Sequence, residues 1–365
     1  MKHRLHPAKS ISETEAAVCV NPCSSVAFRK DQFRRALANW YRKRGRNLPW
    51  RQTRDPYAIL VSEFMLQQTQ VGAVIPYYNE WLRRFPDFAA LARASESDVL
   101  IAWQGLGYYA RARNFLVTAK IVVDRHDGHF PKSIALMRQL PGIGKYTAHA
   151  IATFAFDQPV PILEANTARV LARLFDFRSL IDRTAGREAL WKRAVMLVPK
   201  RSASIHNSAL TDLGALVCLP RRPQCGICPV EKFCRAKTPE TLPTKNVRPR
   251  IEGLTENHAF IVQPNKILLQ QANHRWHGMW ILPPLQKRSA NGRPVYKSTF
   301  PFTNHRVALN VYARRLRKTD RASERWIKID SLDAVPIPSP HRRAIVDLLT
   351  AGRAAQSRRQ RWLES

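Results

Sequence analysis

The sequence predicts a mainly α-helical module carrying a metal-binding loop, joined to a smaller α+β module. Three observations predict this. From Val26 to about Ala236 the apolar residues recur at helical spacing, and no strand pattern interrupts them. Near the end of that stretch, "CLPRRPQCGICPVEKFC" gathers Cys218, Cys225, Cys228 and Cys234 within 17 residues. Beyond the Pro- and Lys/Arg-rich "RAKTPETLPTKNVRPRIEG" the pattern turns to short strand-like runs. The organisation expected is a flexible N-terminal extension (1–27), a helical module (28–236), a linker (237–256), an α+β module (257–350) and a basic tail (351–365).

Taken in order, "DQFRRALANWYRKRG" has helical apolar spacing and ends at a glycine. Asp55-Pro56 starts the next helix, with Asp as N-cap and Pro where its missing N–H costs nothing. That helix reads as running through "YAILVSEFMLQQTQVGAVI". Further helices are expected at "DFAALARAS", "ESDVLIAW", "ARARNFLVTAKIVVDRH", "SIALMRQL", "YTAHAIATFAF", "NTARVLARLF" and "REALWKRAVMLV". In the second module, "HAFIVQ", "KILLQQ", "MWILPPL", "VYKSTFPF", "VALNVYARRL" and "RWIKI" read as strands, and "SPHRRAIVDLLTA" as a closing helix.

The 365 residues include 60 Lys plus Arg against 27 Asp plus Glu, a net charge of +33. Such a balance points first to nucleic acid and second to an anionic membrane surface. The excess is spread along the chain, which suits a long polyanion and gives affinity without sequence preference. An apolar content of 45% is enough for real cores. No run approaches 18 apolar residues, so no membrane-spanning helix is expected. The start, "MKHRLHPAKSISETEAAVCV", lacks the apolar core of a secretory signal, which predicts a cytoplasmic protein. Cysteines there are metal ligands or free thiols rather than disulfides, and Cys19 and Cys23, without a second pair, read as free thiols.

The four clustered cysteines are separated by six, two and five residues. A structural zinc usually shows two CxxC-like pairs, and four thiolates equally hold an iron–sulfur cluster, so spacing alone leaves both open. "LPGIGKYTAHAI" is a glycine-rich turn feeding a helix. Gly142 and Gly144 let the backbone take unusual φ and approach a phosphate, and the N–H groups near Lys145 and Tyr146 would point at it. A plain helix–turn–helix corner is the alternative. Two acids stand out. Glu63 sits among Ile59, Leu60, Val61, Phe64, Met65 and Leu66, where desolvation would let it hold a proton near neutrality, as a general acid needs. The alternative is a polar stripe shared with Ser62 and Gln67. Glu164, in "PILEANTARVLARL", is either helix-start decoration, with Asn166 as the cap, or a catalytic carboxylate.

"LPWR", "DPYAILVSEFMLQQTQV", "GLGYYARARN", "LPGIGKYTA" and the cysteine spacing together resemble the MutY-type adenine DNA glycosylases of the endonuclease III, helix-hairpin-helix superfamily. The likeness covers about Leu48 to Cys234 and, more weakly, the C-terminal module. It implies a helix-hairpin-helix glycosylase module with a [4Fe-4S] cluster on the four cysteines, and a Nudix-like C-terminal domain. It implies excision of adenine mispaired with 8-oxoguanine or guanine in base excision repair. The implied partner is double-stranded DNA holding such a mispair, met by a monomer at the nucleoid. Tyr146 stands where bifunctional lyases of the superfamily carry a Schiff-base lysine, so the implied enzyme is monofunctional. Lys145 would face about 100° away on the helix.

Carried over by position, Glu63 protonates adenine at N7, and Tyr146 hydrogen-bonds to the catalytic carboxylate and shields the sugar cation. Glu164 and Asn166 stand beside the sugar. Leu48, Trp50 and Arg51 line the adenine pocket. Gln68 and Tyr108 wedge into the base stack. Leu140, Gly142, Gly144 and Lys145 belong to the DNA-binding hairpin. "HGMWILPPL" matches a Gly-x-Trp-x-x-Pro strand of the C-terminal domain, and Phe302, Thr303, Asn304 and His305 fall at its 8-oxoguanine-reading turn. The acid-and-arginine box that binds magnesium in Nudix hydrolases is absent, so pyrophosphatase activity is not expected. The chain departs from the family at three places. Glu164-Ala165-Asn166 replaces Asp-Gly-Asn and lengthens the acid by one methylene; Ser208 replaces Gln or Glu; and Phe302-Thr303-Asn304-His305 replaces a Phe-Ser-His-type turn. The competing functions are a thymine or uracil mismatch glycosylase and a lesion-binding protein without catalysis.

Overall fold

The computed structural model describes residues 29–247, 250–286, 289–315 and 322–363. The expected N-terminal extension, with Cys19 and Cys23, lies outside the described residues. The helices are α1 (Lys30–Arg44), α2 (Pro56–Leu66), α3 (Val71–Arg84), α4 (Phe88–Arg93), α5 (Glu96–Ala102), α6 (Ala110–His126), α7 (Ile134–Met137), α8 (Lys145–Phe154), α9 (Ala165–Leu174), α10 (Thr184–Leu197), α11 (Ala203–Leu216) and α12 (Ser339–Leu363). Strands β1 (Glu252–Phe260), β2 (Val262–Gln263), β3 (Lys266–Gln271), β4 (Trp280–Ile281), β5 (Tyr296–Phe302), β6 (His305–Ala313) and β7 (Glu324–Lys328) follow α11. No helix is long and apolar enough to cross a membrane, among the described residues.

The helical part has two apolar cores. One is built on Phe64, Trp81, Trp103 and Phe115, with Trp81 and Phe115 stacked at 5.6 Å. The other joins α1, α9, α10 and α11 around Phe33, Leu171, Leu190 and Leu213. In α2 every residue from Tyr57 to Met65 is buried. A helix that is apolar all round belongs inside, so it offers no solvent-facing stripe for Glu63. Asp55 caps α2, accepting from the Tyr57 and Ala58 N–H groups at 2.9 and 3.2 Å.

The structure corrects several expectations. The helix read from Tyr57 to Ile75 breaks at Gln67–Gln70, because Gln68 takes a left-handed φ of 63° that no helix continues through. The remainder of α3 and all of α11 were not among the expected helices. β1 begins at Glu252, inside the expected linker, and α12 runs to Leu363 through the expected basic tail. Gly144 takes an extended φ of −80°, so only Gly142, at +80°, uses the freedom of glycine.

The C-terminal part holds a mixed sheet in which β6 pairs in parallel with β1 and antiparallel with β5. A second sheet carries β2, β3, β4 and β7. Val307, Leu309, Val311, Ile267 and Leu269 form a third core closed by Ala344 and Ile345 of α12.

Candidate active site

A cavity of about 730 Å³ opens between the two helical cores. It brings together Leu48, Trp50, Arg51, Glu63, Gln68, Tyr146, Glu164, Asn166 and Ser208. These positions span more than a hundred residues of chain and converge because α2, α8, α9 and α11 each present one end to the cavity.

Glu63 is 6% exposed and accepts a hydrogen bond from the Tyr146 hydroxyl. Burial pushes its carboxyl up to about 7 from an ordinary 4.5, and the Glu164 charge adds to this against the pull of Tyr146 and Arg51. Tyr146 is held well above its ordinary value, first by burial and then by the two acids. It remains a phenol and a donor.

Glu164 is the N-cap of α9. Its two oxygens accept from the Asn166 and Thr167 N–H groups at 2.8 Å each, and Thr167 Oγ1 accepts from the Glu164 N–H at 2.8 Å. This corrects the expectation that Asn166 caps. The helix begins at Ala165, and Asn166 turns its Oδ1 to Arg169 at 2.9 Å. N-caps are usually Asp, Asn, Ser or Thr; here the longer arm of Glu folds back over the first turn. Burial raises the Glu164 carboxyl, but the two N–H groups, Arg169 and Arg46 oppose it. Burial thus raises both carboxyls, and the Glu164 carboxyl also accepts from two backbone N–H groups that favour its charged form.

The expected pocket residues divide by burial. Leu48 and Trp50 are buried, and Trp50 packs edge-on against Tyr78 at 5.3 Å. Arg51 is clamped by both oxygens of Asp212, at 2.6 and 2.8 Å. Gln68 and Tyr108 are exposed, with left-handed φ of 63° and 48°. Tyr108 is 40% exposed and is no core aromatic. Leu140 is buried, and a Cβ on Gly142 would strike Phe64 at 2.9 Å, so the glycine permits a close turn. Gly144 opens onto free space ahead of α8. Lys145 points away from the cavity, its Nζ 4.1 Å from the centre of the Trp191 ring. Phe302 and His305 close a two-residue hairpin turn at Thr303 and Asn304, far along the chain in the C-terminal part.

Residues 61–194 match the HhH-GPD superfamily base excision DNA repair family, and residues 218–234 match the iron-sulfur binding domain of endonuclease III. An adenine DNA glycosylase of Buchnera aphidicola subsp. Acyrthosiphon pisum is 33% identical over 262 residues, covering 70% of this chain and 75% of that one. The adenine DNA glycosylase of Homo sapiens is 43% identical over 214 residues, covering 56% of this chain and 39% of that one. A solved structure of a thermostable thymine-DNA glycosylase superposes with a TM-score of 0.52 at 30% identity, over 56% of this chain and 94% of the other. The chain belongs to the adenine DNA glycosylase family. It spans 58% and 39% of the length of two of the relatives it matches, from Buchnera aphidicola subsp. Baizongia pistaciae and Homo sapiens.

As in the family, the loop 218–234 carries a [4Fe-4S] cluster, and the donor set fits one. The four cysteines are free of disulfides. Burial and then the neighbouring thiols push Cys228 up to about 11, a crowding that ligation relieves. Elsewhere among the described residues, Glu256, His258 and His341 bring three ligand atoms within 4.8 Å of one another. That triplet is itself a brace. His258 Nδ1 donates to Leu282 O at 2.6 Å, Leu282 N–H donates to His341 Nδ1 at 3.4 Å, and Arg275 holds Glu256 at 2.6 Å.

The loop is tied to α9, the helix that Glu164 caps. Arg173 of α9 reaches Cys218 Sγ at 3.2 Å and Leu219 O at 2.7 Å, and Arg169 reaches Cys218 O at 2.8 Å.

Two functional positions escaped the sequence reading. Asp212 is fully buried and binds Arg51 and Arg46; burial alone would raise its carboxyl, yet the two arginines hold it below the ordinary value. An acid inside "ALTDLGAL" is the same signal that marked Glu63. Arg111 is 7% exposed and donates to five carbonyls: Phe64, Met65 and Gln67 at the end of α2, and Leu106 and Gly107. It satisfies the orphan carbonyls of α2 and ties the Gln68 turn to the Tyr108 turn.

Proposed function

We propose that this chain is a monofunctional DNA glycosylase that hydrolyses the N-glycosidic bond of adenine mispaired with 8-oxoguanine or guanine. The observation that carries this is Glu63, buried, raised to about 7 and hydrogen-bonded by Tyr146, facing Glu164 across one cavity. Protonated Glu63 gives its proton to adenine as the C1′–N9 bond breaks, and the bonding electrons leave with the base. Ionised Glu164 stabilises the positive charge on the sugar. Water then adds to C1′, and a carboxylate accepts its proton. Leu48, Trp50 and Arg51 receive the extruded base, with Arg51 held rigid by Asp212. Gln68 and Tyr108 fill the gap left in the stack. Lys145 is turned onto Trp191 and, among the described residues, no lysine lines the cavity, which supports a reaction without a Schiff base. Cys218, Cys225, Cys228 and Cys234 are the cluster's ligands, and the cluster braces the loop bearing the exposed Arg221 and Arg222 against DNA phosphate. The mixed sheet with its parallel β1–β6 pair and flanking α12 supports a Nudix-like domain whose Phe302–His305 hairpin reads the base opposite adenine.

Glu164 is the departure to test. Single-turnover release of adenine from an A·8-oxoguanine duplex should fall about 100-fold or more in Glu164→Gln, the usual cost of losing one preorganised electrostatic partner. Glu164→Asp keeps both the charge and a preferred cap and should stay within about tenfold of the natural protein. A Glu164→Gln variant at full rate removes Glu164 from the mechanism. The similarity to a thymine-DNA glycosylase supplies the rival reading, which thymine release from T·G duplexes in place of adenine release would establish.

A further inference from the structure

Trp276 is partly buried and packs against two cores at once, that of the helical module and that of the C-terminal sheet. Its ring meets Tyr109 edge-on at 6.2 Å on one side. On the other side it meets Phe302 edge-on at 6.0 Å and Phe300 at 6.2 Å. Phe302 is the last residue of β5 before the Thr303-Asn304 turn. Tyr109 directly follows Tyr108, the exposed residue of the wedge turn. Three rings thus form one packed line from the hairpin to the wedge.

The segment holding Trp276 is a closed turn. Ala272 N–H donates to Met279 O at 2.8 Å, Gly278 N–H to Ala272 O at 2.9 Å, and Met279 N–H to Trp276 O at 2.8 Å. It is pressed onto the helical module: Met279 is fully buried in that module's core, and a Cβ on Gly278 would lie 3.1 Å from Glu96, which is ion-paired to Arg113 at 2.7 Å. Next to Trp276, Arg275 stacks over Phe302 at 4.3 Å and is anchored by Glu256 at 2.6 Å. At the far end Arg111 fixes the Tyr108 turn to the Gln68 turn. Close-packed rings transmit displacement with little loss, because interiors have few voids to absorb it.

We propose that Trp276 is a specificity-determining positioning residue, which sets the Phe302–His305 hairpin in register with the Tyr108 wedge so that the base opposite adenine governs the rate of adenine release. This rests on the reading of the hairpin given above. Trp276 is not among the residues that line the cavity; it acts through Tyr109 and Phe302.

The test is the ratio of single-turnover adenine release from A·8-oxoguanine and A·G duplexes in the full chain, for the natural protein, Trp276→Ala, Trp276→Phe, Phe302→Ala and the Trp276→Ala/Phe302→Ala double variant. Trp276→Ala should lower the ratio at least about fivefold, and the double variant should lower it no further than the stronger single one, since residues acting through one another are not additive. Trp276→Phe, which keeps a ring in the gap, should recover most of the ratio. Equal slowing of both duplexes by Trp276→Ala means a merely structural residue and overturns the proposal. Additive losses in the double variant overturn it too. A natural protein that releases adenine from both duplexes at the same rate defeats the reading of the hairpin itself, an outcome visible before any variant is made.

Discussion

Glu63 keeps only 6% of its surface, walled in by the apolar residues of α2, while Thr303 and Asn304 stand exposed at the tip of the β5–β6 hairpin. The two places do different physical work. A carboxyl keeps its proton near neutral pH when burial disfavours its charged form, and in the proposed mechanism the base leaves its stack to reach it. In the proposed function the hairpin reads a base that stays in the duplex, and its polar tip stands in water without a pocket. The hairpin is braced from behind by the contacts of Phe302 with Arg275 and Trp276, while its tip stays exposed.

The largest expected effect breaks the cavity side of this contrast. Glu63→Gln keeps the shape and removes the transferable proton, and should slow single-turnover adenine release by about a thousandfold, within the usual range for a general acid. Hairpin changes should alter mispair preference and leave release itself running. In the natural protein the rate should fall as pH rises through about 7, where Glu63 loses its proton. A pH-independent rate across that window would take the proton away from Glu63.

This contrast also explains what the sequence revealed. Glu63 stood out as an acid among Ile59, Leu60 and Phe64, but the pattern alone left a polar stripe open and the family resemblance supplied its role; the cysteine spacing and "LPGIGKYTA" are local. Asp212 carries the same mark but lies beside Thr211, and its partners Arg46 and Arg51 are some 160 residues away, a pairing that only the packing of α11 against α1 creates. The break after α2 was hidden because Gln68, not a glycine, takes the left-handed turn, held there by Arg111 on the neighbouring Gln67 carbonyl. β1 starts early as a polar strand, Glu252 and Gly253 being exposed, so no alternation announced it; its pairing with His305 and Arg306 is what makes it a strand. In the C-terminal part the class of fold was readable, but which residue faces DNA depends on the register of a two-residue turn.

Arg111 joins the cavity to the wedge, and its loss tests whether the two turns move as one. Arg111→Ala leaves five carbonyls without their donor and should destabilise the protein by about 4 kcal/mol, as expected when a buried charged donor is removed from several acceptors. Chemical denaturation should show this as a lower midpoint. At a temperature where the variant is still folded, affinity for a mispaired duplex should also drop, whereas Arg113→Ala, which breaks a half-exposed ion pair with Glu96, should cost far less. Equal losses for the two arginines would mean that the five carbonyl bonds do not hold the wedge.

The smallest expected effect runs opposite to the catalytic one. Burial raises the Glu63 pKa from its unfolded value of about 4.5 to about 7. A carboxyl raised on folding favours the folded state while protonated. That contribution is complete below pH 4.5 and is lost as pH rises through 7. At pH about 8.5 the natural protein therefore folds around an ionised, buried carboxylate that Glu63→Gln does not have. The variant expected to lose most of its activity should be the more stable of the two there, by up to about 3 kcal/mol, since each tenfold change in proton affinity is worth about 1.4 kcal/mol. The gap in unfolding midpoint between variant and natural protein should grow from pH about 4.5 to about 7 and level off by pH about 8. A gap that stays constant with pH would show that Glu63 meets water more freely than its place in α2 allows, and would move the cavity toward the exposed side of the comparison.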